Sequence, residues 1–213
     1  MPRIDAPTVR EHRENVRRKL IDAAEEIVRR DGVEALSAGA VSKSAGIARN
    51  SIYRYVDSVD DLRGMVLARY LPQWMGAVEA ALAEADTPRE RIVVWAQANL
   101  AQAARHGHGW LMTVGRAPAV GAARHRAVEG AHRDSADVLL QQWYEHLGVS
   151  RDSRSEAGVG LPEVCAELTR GLVESGFRCL DAGGGFAAVT EAVELAVAAL
   201  LDAHRLPTTS ESG

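Results

Sequence analysis

Apolar residues recur at gaps of three and four along almost the whole chain, and no stretch alternates apolar with polar residues as a half-buried strand does. That regularity limits the fold to packed helices, an all-α architecture of about nine helices. From Arg13 to Arg30 the stripe is Val16, Leu20, Ala23, Ala24, Ile27 and Val28, and Asp31-Gly32 ends it. A short segment follows from Ser37, the expected N-cap, to Ser44, and after Ala45-Gly46-Ile47 another runs from Ala48 to about Val56. Ser58, with Asp61 three residues on, reads as a capping box with Asp in place of Glu, opening a helix that Pro72 is expected to kink or restart. Thr87-Pro88 marks another start, with Ile92, Trp95, Ala96, Asn99, Leu100 and Ala103 along one face. Beyond the His106–Gly109 break and the apolar run Trp110–Val114, a helix from about Val120 to His146 carries Val128, Ala131, Val138, Leu139 and Trp143, with Leu147 just beyond. Gly148 to Gly160 reads as a loop. Final helices are expected over Leu161–Leu180 and Phe186–His204, joined by Gly183–Gly185, with residues 205–213 as a flexible tail.

Composition removes several classes of function. No run approaches the roughly 20 apolar residues a membrane span needs, and residues 1–20 hold six cations without the apolar core of a secretory signal. The two cysteines, Cys165 and Cys179, would lie about 21 Å apart on one straight helix at 1.5 Å per residue, too far to bridge. A soluble cytoplasmic protein without a membrane partner is the expectation. The net charge of −4 is unevenly spread: residues 1–56 hold eleven Lys/Arg against eight Asp/Glu, a balance of +3, and the rest carries −7. A basic head on an acidic body suits a nucleic-acid-binding module joined to something else. All four Trp lie beyond the head, while Tyr53 and Tyr55 close it.

Leu36 to Tyr53 carries the most information. Two helices too short to stand alone, joined by three residues containing Gly46, are the signature of a helix-turn-helix. Val41, Ile47 and Ile52 are spaced to pack inward, which leaves Arg49, Asn50, Ser51, Tyr53 and Arg54 at or near the exposed start of the second helix. Arg can bond a guanine edge with two donors and Asn an adenine edge, while hydroxyls hold phosphates. The same residues would also serve as an ordinary solvated face of a small helical subdomain.

The order Leu20-Ile21-Asp22-Ala23-Ala24, then Gly32, then Ala45-Gly46-Ile47-Ala48-Arg49-Asn50-Ser51-Ile52-Tyr53-Arg54-Tyr55, then Asp60-Asp61-Leu62, resembles the TetR family of transcriptional regulators over roughly residues 13–67. The resemblance implies an N-terminal three-helix DNA-binding domain followed by a helical ligand-binding and dimerisation domain. The expected division is 1–57 and 58–204. It also implies that Tyr53 meets a phosphate, that Arg49, Asn50 and Ser51 read bases and backbone, and that Ser37 lies at the polar start of the preceding helix; Arg54 and Tyr55 complete the expected DNA-binding set. Four departures stand out. Ala48 replaces the usual Ser or Thr cap, Val59 stands where members usually carry a phosphate-contacting Lys, Val56 replaces a common Phe, and Asn50 a common Gly.

In the body, Trp74, Met75, Trp95, Asn99, Trp110, Met112, Trp143 and Tyr144 could line a cavity for an apolar or aromatic effector, or serve as core. Leu168, Leu172, Ser175 and Cys179 on one of the last helices, and Val189, Val193, Val197 and Leu200 on the other, form stripes for a homodimer seam or for the body's own core. No catalytic grouping, phosphate loop or metal-ligand spacing stands out, so neither enzyme activity nor a cofactor or metal is expected. The expected function is a ligand-responsive regulator, a repressor as in most of the family. It would bind a pseudo-palindromic double-stranded DNA operator as a homodimer, and an effector would release it. The competing reading, supported by Val59, is a helical small-molecule-binding module or enzyme on the same scaffold without operator binding.

Overall fold

The computed structural model describes residues 6–115, 122–151 and 159–204; at 6–8, 112–115 and 122–134 it describes the backbone alone. The side chains of Met112, His125, Val128, Ala131 and His132, and the expected tail at 205–213, therefore lie outside the described residues. Among the described residues there are eight α-helices, two short 3₁₀ helices and no strand. In order these are α1 (Ala6–Asp31), a 3₁₀ turn (Val33–Ala35), α2 (Ala38–Ala45), a 3₁₀ segment (Arg49–Arg54), α3 (Val59–Ala83), α4 (Pro88–His106), α5 (His108–Gly115), α6 (Ala122–Leu147), α7 (Leu161–Asp181) and α8 (Phe186–Ala203).

The chain forms two compact units. One holds the described residues up to Pro72 with those of Trp110–Gly130, and the other holds Gln73–Gly109 with those from Ala131 onward. In the first unit the whole expected stripe of α1 is buried, from Val16 to Val28, together with Val41, Ile52, Val56, Leu62 and Val66. α1 packs on α2, and α2 on the 3₁₀ segment. The first half of α3 joins this unit through buried Leu62, Met65 and Val66, and its polar groups also reach α1. Arg69 bonds Asp22 at 2.7 Å and Glu25 at 2.9 Å. The Tyr70 hydroxyl donates to Glu25, and Arg29 donates to Tyr70 at 3.2 Å. Burial and that carboxylate both push the Tyr70 phenol above its usual range, which keeps its proton in place for the bond. Compact packing therefore divides the chain inside α3, beyond the motif boundary at 57.

α3 continues through Pro72 as one assigned helix, where a kink or restart was expected. α1 begins at Ala6, two turns earlier than the apolar stripe indicated, because its first turns carry mostly polar residues that no core demands. Ser58 behaves as expected, its Oγ accepting from the Asp61 amide at 3.0 Å. Asp61, however, reaches past it and accepts from Asp57 at 3.2 Å.

The second unit is built around α4, α6, α7 and α8. Thr87 and Glu90 complete a reciprocal capping box at the start of α4, and all six expected face residues of α4 are buried. Trp143 is fully enclosed; its indole N–H donates to Thr169 Oγ1 at 3.1 Å, and Thr169 in turn donates to the Cys165 carbonyl at 2.8 Å. Burial pushes the Cys165 thiol upward. At Gly176, a Cβ would sit 2.6 Å from Leu100 and 3.2 Å from Val193, so this glycine sets how closely α7 approaches α4 and α8. Val138, placed on the inner stripe by the sequence, is 42% exposed.

Gly46 closes α2 with φ 69° and ψ 33°, in the left-handed region. No atom lies within 4 Å of a Cβ built there, so any cost of substitution is conformational. Gly46→Ala is expected to lower stability by about 1 kcal/mol, with Gly46→Asn costing less because Asn tolerates this region. Chemical denaturation reads both, and equal midpoints for all three proteins contradict the assignment.

Candidate nucleic-acid interface

Ser37 starts α2 with extended backbone, and its Oγ accepts from the Ala40 amide at 3.2 Å. At the other end of this helix the Gly46 amide donates to Lys43 at 3.3 Å and the Ile47 amide to Ser42 at 3.0 Å. These bonds satisfy carbonyls that a helix end leaves orphaned, and they reverse the chain. Ala48 is extended, and the segment Arg49–Arg54 then winds as a 3₁₀ helix rather than the α-helix expected to Val56. Ala48 has no side-chain oxygen to cap it, and the tight Ser51-to-Ala48 bond of 2.8 Å and Tyr55-to-Ile52 bond of 2.9 Å satisfy the backbone instead.

Ile52 is 1% exposed and Val56 is buried beside it, whereas Ile47, expected inside, is half-buried. Anchoring this inner edge turns Arg49, Asn50, Tyr53 and Arg54 to solvent, with Ser51 and Tyr55 half-buried and Ser37 exposed. Tyr53 is 58% exposed, a placement that packing alone gives no reason for. Arg49 passes over the first turn of α2, its Nε 3.9 Å from where a Cβ on Gly39 would lie. Among the described residues, the side chains of Arg49, Asn50, Tyr53 and Arg54 make no hydrogen bond or ion pair. Of the seven expected DNA-binding residues, Arg49, Asn50, Tyr53 and Arg54 thus share one short solvent-facing segment. The start of α3 is different. Val59 is half-buried, Asp60 and Asp61 follow it, and Arg63 is held by Asp60 at 2.9 Å and by the Val33 carbonyl at 3.4 Å. That helix end offers no uncommitted cation to a phosphate.

The remaining expected site residues fall into separate groups. Trp74, Asn99 and Trp95 meet in the second unit: Trp74 Nε1 donates to Asn99 Oδ1 at 2.9 Å, Asn99 Nδ2 to the Trp95 carbonyl at 2.8 Å, and Trp95 Nε1 to Ser135 at 3.3 Å. Phe177 packs edge-on against Trp74 at 6.0 Å and stacks with His108 at 4.1 Å. Nothing in the periodicity marked Phe177 as a companion of Trp74. Met75 is half-buried, Trp143 is core, and Tyr144 is buried with its hydroxyl on Glu163. Trp110 belongs to the first unit, with Arg29 over its ring at 4.0 Å and Tyr70 edge-on at 5.4 Å. Of the expected seam, Val193 and Val197 lie in the core of this chain and Val189 and Leu200 pack against it. Leu168 is 52% exposed, Ser175 and Cys179 are exposed, and Leu172 is half-buried. Among the described residues no three His, Cys, Asp or Glu side chains group as a metal site, and no helix is long and apolar enough to cross a membrane.

A short capped helix, a left-handed glycine reversal and a second short helix with unengaged polar groups define a helix-turn-helix DNA-binding domain. Residues 20–63 match the family model described as bacterial regulatory proteins, tetR family. The fold extends the likeness. A TetR-family transcriptional regulator from Streptomyces coelicolor superposes with a TM-score of 0.68 at 16% identity, covering 93% of this chain and 96% of that one. A TetR/AcrR-family regulator from Thermobifida fusca gives 0.64 at 20% identity, covering 90% and 100%. The ketosteroid transcriptional regulator KstR2 of Mycobacterium tuberculosis gives 0.64 at 15% identity, covering 89% and 93%. No curated protein matches the sequence.

Since the segment after Ala48 starts without a side-chain cap, Ala48→Ser is expected to raise stability by about 1 kcal/mol. The check is the thermal midpoint; an unchanged or lowered midpoint contradicts the picture of an uncapped start.

Proposed function

We propose that this protein is a ligand-responsive transcriptional repressor that binds a pseudo-palindromic operator as a homodimer and leaves it when a small apolar or aromatic effector binds. The observation that carries the reading is the exposed, unengaged set Arg49, Asn50, Tyr53 and Arg54 on a segment anchored from behind by Ile52. In the major groove, Arg49 and Asn50 are suited to base edges, and Tyr53, Ser51 and Ser37 to the backbone.

One reader touches few base pairs, so discrimination calls for two copies. The outward stripe of α7, with Leu161, Val164 and Leu168 each more than 40% exposed and Gly171, Ser175 and Cys179 continuing it, is the proposed seam. The proposed effector site is the Trp74–Asn99 pair with Phe177 and His108 beside it, aromatic walls around a few polar groups. Among the structural neighbours, one is named a fatty acid degradation regulator and another a ketosteroid transcriptional regulator. Trp74 lies on α3, the same helix whose earlier turns bond to α1. Release requires only that the effector bind the DNA-incompetent arrangement more tightly than the competent one. The cell compartment that fits this function is the cytoplasm.

Selection of bound duplexes by the purified protein is expected to yield a two-fold symmetric site. Arg49→Ala should then cost about 1–3 kcal/mol of binding and relax preference at one base pair per half-site. Tyr53→Phe should weaken binding about equally on all sequences. Equal loss on every duplex for Arg49→Ala assigns Arg49 to a phosphate instead. Leu168→Glu should shift the mass in solution from dimer to monomer; an unshifted dimer contradicts the α7 seam.

A further inference from the structure

We infer that α1 carries a second DNA-contacting surface, in which Arg10, Arg13 and Arg17 hold backbone phosphates flanking the bases met by the recognition segment. The inference rests on the operator-binding reading above. Positions 10, 13 and 17 are spaced by three and four, so their side chains share one face of the helix. That face is fixed beside the reader: a terminal guanidinium nitrogen of Arg13 lies 3.4 Å from the carbonyl oxygen of Arg54, the last residue of the recognition segment.

Several cations of this unit are committed to carboxylates within it. Arg29 pairs with Glu25, Arg30 with Glu26 and Asp31, Arg63 with Asp60, and Arg69 with Asp22 and Glu25. Among the described residues, Arg10, Arg13 and Arg17 have no carboxylate partner, although Glu11 and Glu14 lie within the same turns. Arg17 instead directs Nε to Met65 Sδ at 3.4 Å. Like charges three and four apart on one helix repel each other, so the stripe is held at a small cost that an external anion relieves.

The need for that anion contact also follows from the other side of the reader. The start of α3 presents Val59, Asp60 and Asp61, and its nearest cation is committed internally. A duplex seated on the recognition segment therefore finds its neutralising charge on α1 rather than on α3. Guanidinium groups match phosphate oxygens in charge and in fork geometry, and each phosphate neutralised releases counterions.

The test uses full-length protein with Arg10→Gln and Arg13→Gln combined, both positions being exposed, and leaves Arg17 in place because of its contact with Met65. Helicity by circular dichroism checks the fold. Affinity for the selected operator is measured across salt concentrations, on a long duplex and on one trimmed to the recognised bases. At roughly 0.9 per phosphate contact, the slope of log affinity against log salt should shrink by about two in the variant. Base preference should be unchanged, and trimming should weaken the natural protein more than the variant. Equal slopes and equal trimming effects overturn the α1 assignment while leaving operator binding intact. A natural protein that binds no duplex at any salt overturns both.

Discussion

The left-handed turn at Gly46 is the constraint on which the DNA-binding reading depends. Two backbone bonds return from Gly46 and Ile47 to carbonyls in the last turn of α2, and the chain leaves in a new direction. From there Ile52 reaches the core, and a side chain on the opposite side of the same short segment cannot. Tyr53 and Arg49 face solvent for that geometric reason and not because their own chemistry requires it. α1 supplies the platform, its buried stripe covering α2 from behind while its charged face ties down the first half of α3.

Polar capping distributes the work differently at each helix start. Ser37, Ser58 and Thr87 each supply a hydroxyl oxygen to the amide three residues on, and these starts are well defined. The recognition segment has no such group and adopts the tighter 3₁₀ winding. A contact element with a weakly fixed start can adjust its winding against a groove at little cost, whereas its buried inner edge cannot move.

Much of this was legible in the sequence because caps and periodicity are local. Ser37, Gly46, Thr87-Pro88 and Gly107 mark boundaries within a residue or so of where they fall, and the six-residue face of α4 is buried in full. Periodicity identifies an apolar side but not which neighbour covers it. Val193 and Val197 therefore looked equivalent to Leu168, yet the first two close the core of this chain and the last faces outward. The same limitation hid Val138, the pairing of Phe177 with Trp74, and the packing of Trp110 on Tyr70, since each depends on contacts distant in sequence. The 3₁₀ winding from Arg49, beside an Ala48 that supplies no side-chain cap, shows only in the backbone.

Fold likeness at 14–22% identity leaves function to the site, and one neighbour of the same fold is described as a superantigen. The decisive question is which surface meets DNA. Mapping backbone amide shifts by NMR while a two-fold symmetric duplex is titrated into the protein answers it most directly. Perturbations concentrated at Ser37 and across Arg49–Tyr55 are the expected result. A duplex that binds while those amides stay still, with changes confined to α4 through α8, contradicts the account.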